Sequence, residues 1–403
     1  MKILQLASSY PADDADATAP FVRSMAHALA DLGHSVMVFA PEHPKSGGLP
    51  ARYSSAAGGD VTVEWIRYAP VASLNVIGNG RSLKGDRRLD PRVLVALPPY
   101  VVVSLLRGLR VIQSWKPDII QAHWVVVPGF VGAVLSKVTN TPMIVNLHGS
   151  DIFMAAKSRT IGTFARYAFS RAKGVSACSP NLAEGATALG ATNVRMIPHG
   201  ADPFLFPTKP DYNEIPVILS VGRSVAKKGL DVLLSQAGHL LQSHVTAQIW
   251  IAGDGSERER LEGLCGGLEP SVRSRVKFLG AVSWPDVGAL MRRASIFVVP
   301  SVQDASGNED GLPTAILEAM ASGLPIVASD IAGVSLVVKH GVNGLLVAPG
   351  DGVGLSAAVT TLLSEPAMRE KMGVAGRGLV ESQFSWAHSA RSHEEMIRDA
   401  IGA

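Results

Sequence analysis

Cysteine is nearly absent: Cys178 and Cys265 are the only 2 in 403 residues, and no second cysteine or histidine stands at ligand spacing from either. That excludes a disulfide framework and a structural zinc site, and it leaves two thiols expected to be reduced and buried in a cytoplasmic protein. Charge of one sign is also scarce. A formal net charge of +3 with 18% charged residues gives no footing for nucleic-acid binding. The opening segment Met1 to Ala7 is apolar but short and lacks a cleavage site, so it reads as a first buried strand and not as a signal peptide. What is abundant is apolar residues, 47% of 403, which is material for two full cores. Single cores stop growing near ~250–300 residues.

Short runs of Val, Ile and Leu alternate with helical patterns from end to end, the pattern of parallel sheets covered by helices on both faces. In the first half the spacing predicts strands near 2–7, 35–39, 61–66, 118–122, 142–147, 174–177 and 194–197. Pro203, Pro207, Pro210 and Pro216 then disfavour both helix and central strand, which marks 200–216 as a linker. A second series follows, with strands near 217–221, 247–252, 275–279, 296–299 and 325–328 and helices near 353–364, 367–382 and 386–401. The expectation is an α/β protein of two doubly wound domains facing each other, 1–199 and 217–383. Ligands of such sheets bind beyond the carboxyl ends of the strands.

Two stretches resist this rhythm. Residues 41–60 are rich in Gly, Pro and Ser and read as a flexible loop. Further on, Arg81, Lys84, Arg87, Arg88, Arg92, Arg107 and Arg110 face only Asp86 and Asp90. Between these cations the apolar run Val93 to Leu106 is interrupted by Pro98-Pro99 and falls short of the ~18–20 residues that cross a bilayer. Two readings stay open: a segment lying on an anionic membrane surface, or a core helix with a solvated basic end.

The strongest local signal is Asp310-Gly311-Leu312-Pro313-Thr314, which continues through Glu318 to Gly323-Leu324-Pro325. Pro313 or Thr314 suits the first position of a helix, and the Gly311 turn before it leaves backbone N–H groups for phosphate or sugar oxygens. Glu318 is the only charged residue between Pro313 and Gly323, and a carboxylate in such company needs a partner. A ribose diol would serve; so would a structural arginine or a backbone cap. The second signal is Gly222-Arg223-Ser224-Val225-Ala226-Lys227-Lys228-Gly229, between a strand and a helix expected over 229–242. Three cations at a helix start oppose the macrodipole unless they hold an anion, and a diphosphate is a fitting one for Arg223 and Lys228. Lys227 reads as the solvated member.

Third comes Leu147-His148-Gly149-Ser150-Asp151 at the end of a strand. His148 titrates near neutrality and suits a sugar contact or a proton transfer, with a structural role as the alternative. Asp14-Ala15-Asp16 has no companion ligand and reads as a solvated loop, so no metal site is expected. Ala252-Gly253-Asp254-Gly255-Ser256-Glu257 reads as a tight turn and helix cap.

Together these residues resemble glycosyltransferase family 4, whose members have the GT-B architecture, and the resemblance covers nearly the whole chain. It implies a diphosphate clamp at Gly222, Arg223 and Lys228. It implies a sugar-contacting acid at Asp310 and a ribose-binding acid at Glu318, with backbone donors from Gly311, Leu312, Pro313 and Thr314. His148 corresponds to a histidine at the donor sugar. Ile197-Pro198-His199-Gly200-Ala201-Asp202 is also familiar, as is Phe384-Ser385-Trp386, where the last helix, 384–403, returns to the first domain. Two positions depart: Asp310 stands where the family usually has Glu, and Ala17 to Arg23 replaces its Gly-Gly loop.

The implied reaction is hexose transfer with retention of configuration, needing no metal or cofactor beyond the nucleotide sugar. Domain closure about the linker would exclude water. A uridine donor is favoured over a guanosine one on family frequency. The acceptor is expected to be a glycan or lipid-linked glycan, met in the cytoplasm or on its membrane face. A sugar-nucleotide epimerase of the same fold and an inactive scaffold in polysaccharide assembly are the rival readings.

Overall fold

In a computed structural model the described residues are 1–16, 18–42, 51–69, 75–78, 83–84, 88–89, 91–206, 208 and 215–403. The chain divides into two compact units, Met1–His199 with Trp386–Ala403, and Gly200–Ser385.

The first unit holds β1 (Lys2–Leu6), β2 (Ser35–Pro41), β3 (Ala51–Ser54), β4 (Asp60–Ile66), β5 (Leu83–Lys84), β6 (Arg88–Leu89), β7 (Ile119–His123), β8 (Met143–Leu147), β9 (Gly174–Ala177) and β10 (Val194–Met196). Eight of these form one sheet in the order β10-β9-β8-β7-β1-β2-β4-β3, while β5 and β6 pair separately. Every neighbour in the large sheet is parallel except β3 on β4. All five residues of β7 and of β8 are buried, as strands covered on both faces must be. The last helix, Trp386–Ile401, packs on the helix Pro20–Asp31 and adds Ala390, Met396 and Ile397 to this core.

The second unit holds β11 (Val217–Val221), β12 (Gln248–Ala252), β13 (Val276–Gly280), β14 (Ile296–Val299), β15 (Ile326–Ser329) and β16 (Gly344–Val347). Its sheet runs β13-β12-β11-β14-β15-β16, parallel throughout. Leu233, Leu240, Ile249, Ile251, Val298 and Leu362 belong to its core. In each sheet the strand order reverses beside the first strand of the unit, between β1 and β7 and between β11 and β14. Those switch points leave crevices at the strands' carboxyl ends, the usual place for a ligand in an open α/β sheet.

Several expectations are corrected. Of the stretch read as a flexible loop, 43–50 lies outside the described residues, but Ala51–Ser54 is a strand antiparallel to β4. Tyr53 fixes it: the ring stacks on His27 at 4.0 Å and the hydroxyl donates to Asp31 at 2.9 Å. The strand β16 went unpredicted because it is a short edge strand, only partly buried, framed by glycines. The helix expected over 229–242 is two, Leu230–Ser235 and Ala237–Ser243, parted at Gln236.

Pro98 and Pro99 do not interrupt anything. A single helix runs Pro91–Trp115, 25 residues with a mean hydropathy of 1.5, and by length and composition alone it is sufficient to cross a bilayer. Both prolines are exposed, as are Leu94 and Val95 one turn earlier, so the carbonyls left without a donor face outward. Val93, Ala96, Tyr100, Ser104, Gly108 and Ile112 form the packed face. Of the basic residues before this helix, Arg81 and Arg87 lie outside the described residues, while Lys84 ends β5 and Arg88 opens β6.

Candidate active site

In the second unit the site starts with backbone geometry. Gly222 follows β11 with φ 152°, and Gly253 follows β12 with φ 134°, conformations that favour glycine. A Cβ on Gly253 would stand 1.8 Å from the Gly222 carbonyl oxygen, so the two loops approach as closely as they do only because Gly253 lacks a side chain. Their contact is continued by the Gly222 N–H, which donates to Ala252 at 2.9 Å, and by the Ser224 N–H, which donates to Asp254 at 3.0 Å. The run Ala252 to Glu257 is therefore the buttress of the basic loop.

That loop turns through a 3-10 helix at Ala226–Lys228. The Val302 N–H, in the loop after β14, donates to the Lys227 carbonyl at 2.9 Å and brings the loop against the segment that carries Asp310. Lys227 Nζ lies 3.3 Å from Asp310 Oδ1, and Lys228 Nζ lies 2.6 Å from Oδ2. Burial raises the Asp310 carboxyl, but Lys228 and Lys227 outweigh it and hold the pKa at about 2. Lys227, read from sequence as solvated, is 6% exposed, because its charge has a buried partner that sequence does not display.

Gly222, Lys228, Pro300 and Pro313 line a pocket at the ends of β11 and β14, on the switch point itself. Pro313 caps the helix Thr314–Ala321, whose first turn carries no acidic residue and no side-chain cap. Its leading N–H groups are thus left for other acceptors. Gly311 and Leu312 are buried and Thr314 half-buried beside it. Arg223 is exposed and is not part of that pocket's lining. Glu318, one turn into the helix, is 9% exposed; its partner is neither an arginine nor a backbone cap but the indole N–H of Trp284, donating to Oε1 at 3.1 Å. Burial pushes Glu318 up to about 7, against the lowering effect of that N–H.

The first unit's pocket has a different chemistry. His123 ends β7, and Trp124 after it takes φ 73°, a strained conformation for a bulky side chain. Asp151, from the segment that follows β8, accepts the Val125 N–H at 2.7 Å and so holds this turn beside His148. His123 Nδ1 and His148 Nε2 share a hydrogen bond of 2.9 Å. The His148 ring stacks on His199 at 5.2 Å and meets Phe21 at 4.7 Å. His393, from the last helix, donates through Nδ1 to the Ser389 carbonyl at 2.8 Å. His123, His148, His199, His393, Phe21 and Trp386 line one pocket. Burial lowers all four imidazoles, His123 to about 3, His199 and His393 to about 4, and His148 well below its ordinary range. Each is neutral at pH 7.

Three of these histidines, with Lys227 and Trp284, carried no assigned role from sequence motifs alone. His123 sits at a strand's carboxyl end, as His148 does, which is a signal sequence could have offered. His393 and Trp284 carry none, since the chain brings them from far away. Asp14, in the segment read as a solvated loop, is fully exposed and pairs with Arg23 at 3.0 Å. Cys178 and Cys265 are buried, and neither is in a disulfide.

Two doubly wound units of this kind are found in solved GT-B glycosyltransferases. Sucrose-phosphate synthase from Thermosynechococcus elongatus matches with a TM-score of 0.77 and 22% identity, over 100% of this chain and 99% of its own. Anabaena Alr3699/HepE in complex with UDP-glucose matches with a TM-score of 0.71 and 20% identity, over 99% and 100%. The glycogen synthase of Mycobacterium tuberculosis is 26% identical over 403 residues, 96% of this chain and 92% of that protein. A family model described as Glycosyl transferase 4-like domain matches residues 17–200, and one described as Glycosyl transferases group 1 matches residues 215–365. The chain belongs to the family 4 type of glycosyltransferases and is a glycosyltransferase enzyme.

Proposed function

We propose that the protein moves a hexose, with retention of anomeric configuration, from a UDP-sugar to a glycan acceptor, a lipid-linked glycan being the specific candidate. The observation that carries this reading is the Lys227–Asp310–Lys228 group, which leaves one positive charge in excess over its single carboxylate at the switch-point pocket. A diphosphate leaving group gathers negative charge as its bond to the anomeric carbon breaks. Cations and helix-start N–H groups already in place stabilise that charge without reorganising. Lys228 and Arg223 take the diphosphate, so that no metal is needed for it. Asp310 and the backbone of Gly222 and of Gly311 to Thr314 take sugar and phosphate oxygens, and Glu318 takes the ribose hydroxyls. The neutral pocket around His148 suits uncharged sugar hydroxyls.

Uridine is preferred because the structural neighbour from Anabaena is described with UDP-glucose. GDP-mannose is the second donor to test. Product analysis decides the reaction: UDP-glucose and a malto-oligosaccharide should give a longer oligosaccharide whose new bond keeps the donor's anomeric configuration by NMR. An inverted linkage, or a converted nucleotide sugar without any acceptor, would refute it.

The lipid part rests on the helix Pro91–Trp115. Opposite its packed face it exposes Leu94 (66%), Val95 (64%), Val102 (53%) and Leu106 (56%), a continuous apolar stripe with Arg110 exposed near its end. Such a stripe with basic flanks suits the surface of an anionic bilayer, on the cytoplasmic face. Flotation with phosphatidylserine vesicles tests it: wild type should float and the triple variant Leu94→Ser, Val102→Ser, Leu106→Ser should not. Equal behaviour of the two would remove the membrane from the proposal.

A further inference from the structure

A buried carboxylate that meets a ligand through one oxygen needs something to hold the other. On the helix Thr314–Ala321 the buried neighbours of Glu318 are Ile316, Leu317, Ala319, Met320 and Ala321, none of which offers a side-chain donor. Oε1 is occupied by the Trp284 N–H at 3.1 Å. Among the described residues Oε2 has no hydrogen-bond partner, yet it is not among the polar atoms sealed from solvent. One oxygen is therefore anchored inward and the other remains available.

The donor of that anchor is itself held. Trp284 opens the helix Trp284–Arg293, and its ring stands edge-on to Phe206 at 5.9 Å and 75°. Phe206 is 2% exposed. Its carbonyl accepts from Arg377 Nη1 at 2.8 Å, and the same nitrogen also donates to the carbonyl of Ala321. One guanidinium thus ties the support of the indole to the end of the helix that carries Glu318. Without the N–H, a glutamate side chain with three rotatable bonds would be ordered only on binding, at a cost in affinity.

We infer that Trp284 is a positioning residue for the donor site: its indole N–H fixes the Glu318 carboxylate so that Oε2 faces the hydroxyls of the bound nucleotide. This rests on the ribose reading of Glu318 given above. Trp284 also favours the ionised carboxylate, the form that accepts from both hydroxyls of a diol, and this second effect gives the inference a signature that mere packing lacks.

The test is UDP affinity by calorimetry for wild type, Trp284→Phe, Trp284→His and Glu318→Gln, each at about pH 7 and about pH 8.5. Trp284→Phe keeps a ring and loses the donor. Its affinity should fall about tenfold at neutral pH, the size expected for a hydrogen bond to a charged group. At the higher pH, where Glu318 is ionised with or without its donor, the ratio to wild type should shrink to about threefold or less. Turnover at saturating UDP-glucose should stay within about twofold of wild type, because the contact is made equally before and during reaction. Trp284→His restores a ring N–H and should recover part of the affinity, which keeps the test informative if the phenylalanine variant folds poorly. Unchanged affinity in Trp284→Phe, or a loss equal at both pH values and in both variants, would overturn the inference. The ribose reading has its own control. If Glu318→Gln binds UDP as wild type does, that reading fails; if Glu318→Gln and 2′-deoxy-UDP both weaken binding while Trp284→Phe does nothing, only the role of Trp284 fails.

Discussion

The pockets of the two units both lie at the carboxyl ends of parallel strands, β11 and β14 in one and β7, β8 and β9 in the other, and are made of opposite materials. In the second unit, Lys227 and Lys228 close on Asp310 inside a buried group of charges. In the first, His123, His148, His199 and His393 surround a pocket with polar groups that burial keeps uncharged. The sheets alone would not distinguish them, because hollows beyond the strand ends come with the fold and the chemistry comes from the side chains placed there. A buried excess of positive charge is costly unless an anion arrives, and a ring of neutral imidazoles is costly if a proton arrives.

The largest expected effect comes from removing the carboxylate that balances the lysines. Asp310→Asn leaves one buried and one half-buried ammonium group without a counter-charge and should destabilise the protein by about 3–5 kcal/mol. Added UDP should raise its thermal midpoint by more than it raises that of wild type, since the ligand then supplies the missing negative charge. His148→Asn, made in the uncharged pocket, should show no such ligand-dependent recovery. An equal UDP effect in all three proteins would erase the contrast between the pockets.

Acid gives the next effect and separates the units by sign. His123, His199 and His393 are held near 3 to 4 in the fold, below the ordinary 6.5. Their unfolded forms bind protons first, so stability is lost as pH falls from about 6.5 towards 4, by about 1–2 kcal/mol per histidine at pH 5. Asp151, raised to about 6 by burial in the same unit, offsets part of this. Glu318 acts oppositely: raised to about 7, its contribution is complete below the usual carboxylate range and lost as pH rises through 7. Asp310, held at about 2, keeps its contribution until pH falls below the usual 3.8. Hydrogen-exchange protection compared at pH 7 and pH 5 should therefore drop in the strands β7 to β9 and hold or rise in β11 to β15. A uniform drop would break the comparison.

The smallest effect on stability belongs to the exposed stripe of the helix Pro91–Trp115. The triple serine variant described above should shift the unfolding midpoint little, because its three side chains are already in solvent, while vesicle binding is lost. A large loss of stability would mean that the stripe is covered in the protein as it exists in solution.

How much of this was legible in the sequence follows from how local each feature is. The central strands β7, β8, β11 and β14 are buried on both faces, so they announce themselves as continuous apolar runs, and sequence places them to within a residue or two. The basic segment Gly222 to Lys228 and the run Asp310 to Glu318 are likewise contiguous. What sequence conceals is assembly across distance. Trp284 reaches Glu318 across 34 positions, and His393 reaches Ser176 across 217. Lys227 resembles any surface lysine until Asp310 is seen beside it. The paired prolines of the helix Pro91–Trp115 mislead for a different reason: proline ends a helix when the carbonyls it orphans are buried, and these face outward.

The measurement that bears most directly on a diphosphate site in the second unit is calorimetric titration of UDP, GDP and ADP into wild type and Lys228→Ala without added metal. Tight binding of one diphosphate by wild type, UDP foremost, weakened by about a hundredfold or more in the variant, is the expected result. Binding of none of the three, or equal binding by both proteins, would contradict it.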